Sequence, residues 1–228
     1  MRDRTAAEDL PSLYRTRFSA EDRTKKYALW KVLCEQFLQR YVSPADVVID
    51  LGAGYGEFIN HIRCGKKYAV DLNEETADAV NSDVVFLKRR TVDLGDIPQA
   101  SADLVFASNL FEHLSSKEEL LATLREVRRT LRPGGKLLIL QPNIRYAYRE
   151  YWDFLDHHLA LSHESMGEAL EIAGFKVVEC RPRFMPYSTK SKLPQSPLLL
   201  RIYLRVPPLQ WLLGGQMFLV ATSTEEIK

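Results

Sequence analysis

Residues 46–57 read DVVIDLGAGYGE, an apolar run that ends at Asp50 in a loop with glycines at 52, 54 and 56. Val47, Val48 and Ile49 form a β-branched stretch with no polar break, as a central parallel strand covered on both faces requires. Gly52, Gly54 and Gly56 let the backbone take positive φ and bring its N–H groups against a ligand with no Cβ in the way. Phe58, Ile59 and Ile62 are expected to start a helix whose N-terminal dipole faces that ligand. Strand, glycine loop and helix together restrict the chain to α/β folds built around a nucleotide-type cofactor. The glycine spacing does not choose the cofactor, because the dinucleotide fingerprint needs its third glycine at position 57, which is Glu57.

The chain then repeats the pattern of strand followed by polar loop. Tyr68, Ala69 and Val70 read as a second strand ending in Asp71, placed where an acid can grip both ribose hydroxyls; an NAD enzyme could use the same acid. Val84 to Leu87 is a third strand, followed by Asp93-Leu94-Gly95-Asp96-Ile97-Pro98, and Asp103 to Asn109 is a fourth. Glu112-His113-Leu114 comes next, and a Pro133-Gly134-Gly135 turn precedes a fifth strand from Lys136 to Gln141. Between them Ser116 can cap a helix with the apolar stripe Leu120, Leu124, Val127 and Leu131. Arg128, Arg129 and Arg132 lie at its negative end, as a solvated terminus or as an anion site. Ser162 can cap Glu164 to Ala173, with Leu161 stapled onto Met166 and Gly174 as the left-handed end. Phe175 to Arg181 and Gln216 to Thr222 complete seven strands, and the intervening helices imply right-handed crossovers and a parallel sheet.

This ordered series resembles the class I S-adenosylmethionine-dependent methyltransferases, in particular their small-molecule group, from about Val47 to Phe175. The resemblance implies an α/β fold: a Rossmann-like, doubly wound seven-stranded sheet, mostly parallel with an antiparallel last strand. It implies that Asp50 and the loop Gly52, Ala53, Gly54, Tyr55 and Gly56 hold the methionine part of S-adenosyl-L-methionine, and that Asp71 and Leu72 meet its ribose. Asp93 and the Leu94 backbone would meet the adenine, with Ser108 and Asn109 lining the cofactor. The chemistry agrees: a carboxylate makes charge-assisted contacts with an ammonium and a sulfonium, and an Asp at an adenine edge can accept from an exocyclic amine.

With 228 residues and 46% apolar content, the chain can bury one substantial core, and it has no long uncharged run to span a membrane. A net charge of +1 creates no global field for nucleic acid, and Asn109-Leu110-Phe111-Glu112 lacks the Asn-Pro-Pro-aromatic signature of amino-methylating nucleic-acid enzymes. The opening MRDRTAAEDL has no apolar signal region, and Cys34, Cys64 and Cys180 lack C-x-x-C spacing, so a reduced cytoplasmic setting is expected.

Four stretches divide the single domain: an N-terminal helical extension or lid (1–41), the cofactor-binding core (42–181), an insertion between strands six and seven (182–215), and the last strand and tail (216–228). In the first, a helix from about Ala20 carries Tyr27, Trp30, Leu33, Phe37 and Tyr41 at helical spacing, a stripe suited to docking on the sheet. Tyr14, Arg15, Arg17 and Phe18 upstream are candidates for a lid over the cofactor or for a surface arm. The insertion gathers Leu198, Leu199, Ile202, Tyr203, Leu204 and Val206 around Arg201 and Arg205, which share a helical face, with Trp211, Leu212 and Leu213 following. Packing against the body or a partner subunit is one reading, and a cap for a lipid-linked or aromatic acceptor, or a patch on a membrane surface, is the other. A monomer or a homodimer fits either.

The methyl donor is already activated, so catalysis needs the acceptor held close and, for a hydroxyl, a base. Tyr151-Trp152-Asp153-Phe154-Leu155-Asp156-His157-His158 follows strand five and can hang over the cofactor site. His157 or His158 is the expected base, with Asp156 its orienter and His113 the second choice; His61 and His163 read as helix-surface residues. Asn143, Tyr146, Tyr148, Arg149 and Tyr151 surround the exit of strand five as candidate acceptor-binding residues, and Lys190 is a further candidate for an acidic group. No metal is expected: Asp156, His157 and His158 could bind a divalent ion, but the paired-acid pattern of catechol methyltransferases and any zinc spacing are absent. The expected activity is methylation of a hydroxyl on a small molecule, glycan or secondary metabolite. Methylation at nitrogen or carbon, a non-catalytic cofactor-binding regulator, and a dehydrogenase are the alternatives.

Overall fold

The computed structural model describes residues 20–187 and 196–224. The lid candidates Tyr14 to Phe18 and Lys190 lie outside the described residues. The chain opens with helix α1 (Ala20–Gln36) and a 3-10 turn (Leu38–Tyr41), then β1 (Val47–Leu51), β2 (Lys66–Asp71), α2 (Glu75–Ala79), β3 (Val84–Lys88) and β4 (Ala102–Ser108). A 3-10 turn (Phe111–His113), α3 (Lys117–Thr130), β5 (Leu131–Pro142), α4 (Ile144–Ala147) and another 3-10 turn (Tyr151–Asp153) follow. Then come α5 (His163–Ile172), β6 (Phe175–Met185), α6 (Pro197–Arg205), α7 (Pro207–Leu213) and β7 (Gln216–Ser223).

The seven strands form one sheet in the order β3-β2-β1-β4-β5-β7-β6. Strands β1 to β5 pair in parallel, whereas β7 lies antiparallel to both β5 and β6. The strand order reverses between β1 and β4, and in open α/β sheets ligands collect at the carboxyl ends of strands at such a switch point. Alternation along the strands sends Ile49, Leu51, Val105, Ala107, Leu137 and Ile139 to a layer containing α3 and α5. Val48, Leu104, Phe106, Leu138 and Leu140 face a second layer with Leu33 and Cys34 of α1 and with Phe37 just after it.

Local sequence explains most boundaries. Ser116 accepts the Glu119 N–H and caps α3, while Ser162 and Ser165 form a reciprocal box at the start of α5. Gly174, at φ +82°, ends α5 with its open face against the Arg128 guanidinium. The helix expected after the glycine loop is instead a run of turns, with Asn60 N–H bonded to Gly56 O and Ile62 N–H to Phe58 O. Phe58, Ile59 and Ile62 are all buried, and β2 begins at Lys66, so the segment has too little length for a regular helix and its return. Helix α3 stops at Thr130, ahead of the Pro133-Gly134-Gly135 turn, which falls inside the span of β5. Strand β6 runs to Met185, past the expected end at Arg181.

Among its described residues the insertion contains two helices, each opened by proline in its first turn. One face of α6 packs on α1: Leu200 and Tyr203 bury against Val32, and the Tyr203 hydroxyl donates to Phe184 O at 2.6 Å. Arg201 pairs with Glu35 at 3.9 Å and Arg205 donates to Gln36 at 3.3 Å. Leu198 of α6 and Trp211 of α7 are left 66% and 71% exposed.

Candidate functional site

The loop after β1 is fastened to β2 through its backbone. Gly52 and Ala53 donate to Val70 O at 2.8 and 3.2 Å, Gly54 N–H donates to Asp71 Oδ2 at 2.7 Å, and Asn73 N–H takes Asp71 Oδ1 at 2.8 Å. Gly52 sits at φ +74°, and a Cβ there would lie 2.9 Å from Leu110 Cδ1, so glycine is demanded both by conformation and by the approach of the β4 exit. Gly54, at φ +54°, differs: a Cβ would meet nothing nearer than Glu57 Oε2 at 3.8 Å, so this side of the loop is open to a ligand. A groove lined by Arg23, Tyr55, Glu75 and Asp78 borders the same loop.

Three carboxylates crowd this region. Asp50 is 3% exposed. Burial raises its pKa, as do the charges of Glu57 and Asp71, against the lowering effect of the Ile59 N–H. Burial also raises Asp71, opposed by the N–H groups of Asn73, Gly54 and Leu72. Lys26 of α1 pairs with Glu57 at 2.8 Å, and Arg23 lies over the Tyr55 ring, so α1 covers the loop as well as docking on the sheet. A loop with an open backbone face and an excess of buried acid fits a ligand carrying an ammonium and a sulfonium. Asp50 itself lies under the turns at Ile59, whereas Asp71 grips the loop from the strand edge.

The Asp93 segment is held from α3. Glu126 Oε1 accepts the Leu94 N–H at 2.9 Å, and Arg129 donates to Leu94 O, Ile97 O and Glu126. The Leu94 N–H expected at the adenine is therefore already committed, and Leu94 is fully buried, while Asp93 is exposed and accepts the Gly95 N–H. Arg129 is accordingly a loop clamp, rather than part of an anion site or a solvated terminus. Its i,i+3 spacing from Glu126 is visible in the sequence, but nothing there shows that the pair faces the loop. Ser108 ends β4, and Asn109 takes φ +46°, a conformation its short polar side chain tolerates, with its amide donating to Ser108 Oγ at 3.1 Å.

A second cluster begins four residues beyond Ser108. Glu112 is 2% exposed, burial pushes its carboxyl up to about 7, and its Oε2 has no hydrogen-bond partner. Its backbone carbonyl accepts the N–H groups of His158 (2.7 Å) and Leu159 (3.1 Å), which fixes the segment after β5 against the β4 exit. His113 Nδ1 lies 3.0 Å from Asp156 O and 3.2 Å from Asp156 Oδ2; both are acceptors, so Nδ1 carries the proton and Nε2 is left for chemistry. Burial alone would lower the His113 pKa, but the Asp156 hydrogen bond and the charges of Glu112 and Asp156 outweigh it and raise it. The His157 ring is buried against Phe154, Tyr151 and His113 at centroid distances of 4.9, 4.7 and 5.0 Å.

Several expected roles change. Asp156 orients the His113 ring, and the His158 side chain is exposed. Asn143 is fully buried, caps α4 through Arg145 N–H, and donates to Pro182 O and His163 Nδ1, so its amide is committed to the fold. His163 is consequently partly buried and held by Asn143 rather than free on the helix surface. Tyr151 is also fully buried, with its hydroxyl donating to Leu159 O, whereas Tyr146, Tyr148 and Arg149 remain exposed.

Residues 49–139 match the family described as "Methyltransferase domain". A candidate methyltransferase of Encephalitozoon cuniculi is 28% identical over 110 residues, 47% of this chain and 50% of that protein. The chain thus spans half the length or less of the curated relatives it matches. Among solved structures, a SAM-dependent methyltransferase from Archaeoglobus fulgidus is similar with a TM-score of 0.65 at 22% identity, over 86% of this chain and 94% of that one. A chain from the complex between the Haloferax volcanii Trm112 methyltransferase activator and a candidate methyltransferase gives 0.70 at 18% identity, over 98% and 100%. The sheet order, the glycine loop with its acids and the matched segment lead to one conclusion: residues 49–139 of this chain resemble a methyltransferase domain, and the fold is that of S-adenosylmethionine-dependent methyltransferases.

Proposed function

We propose that this chain transfers a methyl group from S-adenosylmethionine to a hydroxyl oxygen of a small-molecule or glycan-type acceptor. The observation that carries the reading is the placement of the Glu112, His113, Asp156 and His157 cluster directly after the β4 exit, whose Leu110 touches the glycine loop. S-adenosylmethionine, when bound, supplies a methyl group already activated by its sulfonium. Asp71 and the open Gly54 face would hold the ribose and methionine parts, with Asp50 and Glu57 supplying negative charge. The Asp93 loop, braced by Glu126 and Arg129, would meet the adenine, and Ser108 and Asn109 would close that side. The acceptor hydroxyl would be oriented and lose its proton at the cluster, where Asp156 fixes the His113 ring and Phe154 and Tyr151 exclude water around His157. Exposed Tyr146, Tyr148 and Arg149 offer stacking and hydrogen bonds to a sugar or phenol at the rim.

Calorimetric titration with S-adenosylmethionine, followed by assay of S-adenosylhomocysteine formation with phenols and sugars, tests this reading. Saturable binding with turnover on a hydroxyl acceptor supports it. Binding followed by transfer to nitrogen or carbon acceptors alone would remove the hydroxyl assignment. The likeness to the Haloferax volcanii protein, which is found in a complex with an activator, also supports a protein partner, testable by co-purification from the native host. Among the described residues no helix is long and apolar enough to cross a membrane, and the three cysteines are free thiols, which supports placing the protein in a reducing compartment.

A further inference from the structure

Glu112, His113 and His157 each present one ligating atom within 4.8 Å of the others, and Glu112 Oε2 is buried with no donor facing it. A carboxylate oxygen in that position is strongly unfavourable unless a proton or a cation answers it. The surroundings favour the cation. His113 is locked by Asp156 on Nδ1, which leaves Nε2 for a ligand, the arrangement by which a carboxylate orients a metal-ligating imidazole. The His157 ring is held in place by Phe154 and Tyr151. The bonds from His158 and Leu159 N–H to Glu112 O bring the two contributing segments together through the backbone. The set is also not the Asp156, His157 and His158 group considered from sequence, since His158 is exposed and Asp156 stands behind His113.

We propose that Glu112, His113 and His157 form a binding site for a divalent first-row transition metal, with ligand positions left open for oxygens of the acceptor. Two imidazole nitrogens and one carboxylate suit zinc, manganese, iron or cobalt better than magnesium or calcium, which take oxygen donors. Bonds of about 2.0–2.2 Å place such ligands roughly 3–3.6 Å apart, so the side chains close on the ion by about 1 Å. The role of the site rests on the methyl-transfer reading: the metal binds the acceptor hydroxyl, whose proton leaves to solvent. The oxygen then bonds the methyl carbon as the carbon–sulfur bond breaks, and the electron pair stays on sulfur. An acceptor with two adjacent hydroxyls would fill two open positions.

The test is titration of the chelator-treated full chain with Co2+, without cofactor or acceptor, read by visible d–d absorption. One equivalent taken up saturably, weakened about tenfold or more by Glu112→Gln and by His157→Gln and unchanged by His158→Ala, is the expected result. No saturable uptake by the wild-type chain, or equal uptake by folded Glu112→Gln and His157→Gln proteins, overturns the proposal. Because both side chains are buried, the melting temperature of the wild-type chain is measured with and without Co2+; native-state binding raises it, and no rise overturns the proposal independently of any variant. Titration of the chelated protein with S-adenosylmethionine separates the two readings. Cofactor binding without Co2+ uptake removes the metal and keeps the methyltransferase, and Co2+ uptake without cofactor binding does the reverse.

Discussion

The two ends of the cleft are built by different means. At Gly52 to Gly56 the shape comes from backbone: positive φ, N–H groups bonded to Val70 and Asp71, and glycines that allow close approach. Around Glu112 the shape comes from side chains brought together across more than forty positions of sequence, with His113 reaching Asp156. A backbone-built site leaves a periodic mark in a short stretch of sequence. One assembled from distant side chains does not, and it is also where an enzyme varies its acceptor while keeping its cofactor.

Substitutions at the two ends should therefore separate cleanly. The largest effect is expected for His113→Ala, which should lower turnover by about 10²–10⁴-fold while S-adenosylmethionine affinity stays within a few-fold, as read by steady-state assay beside calorimetry. A parallel loss of cofactor affinity would show that the two ends are not separate. Asp71→Ala should act on the other end, weakening the cofactor on the order of 100-fold, because it removes the acceptor of the Gly54 and Asn73 N–H groups together with the proposed ribose contact. Leu200→Ala, at the seam between α6 and α1, should cost about 2–3 kcal/mol in denaturant unfolding and spare cofactor affinity. Tyr203→Phe, which loses only the bond to Phe184 O, should cost about 1 kcal/mol in the same experiment. His158→Ala should be nearly silent, within about twofold in turnover, since its side chain is exposed and only its backbone contacts Glu112.

The strands were legible because burial on both faces demands uninterrupted apolar runs, and Val47 to Ile49 and Val105 to Ala107 supply them. Capping at Ser116 and Ser162 was legible for the same local reason: one hydroxyl meets one exposed N–H. The sequence points to a helix after the glycine loop where the chain makes turns, because apolar spacing says nothing about how soon the chain must return to the sheet. Asn143 and Tyr151 looked like acceptor ligands beside a strand exit, and only the fold shows their polar atoms bound to Pro182, His163 and Leu159. Glu112 carries no mark of its own in the sequence, since a buried oxygen without a donor has no one-dimensional signature. The clamp of Glu126 and Arg129 was hidden for a related reason, because the partners of Arg129 are backbone carbonyls of a loop more than thirty residues upstream.

The most direct test of the central claim, that the glycine loop and Asp71 bind S-adenosylmethionine independently of the Glu112–His113 cluster, is calorimetric titration of wild-type, Asp71→Ala and His113→Ala proteins with the cofactor. The account predicts one saturable site in the wild-type chain, its loss or severe weakening in Asp71→Ala, and its retention in His113→Ala. Absence of binding by the wild-type protein up to millimolar cofactor, or equal affinity in Asp71→Ala, would contradict it.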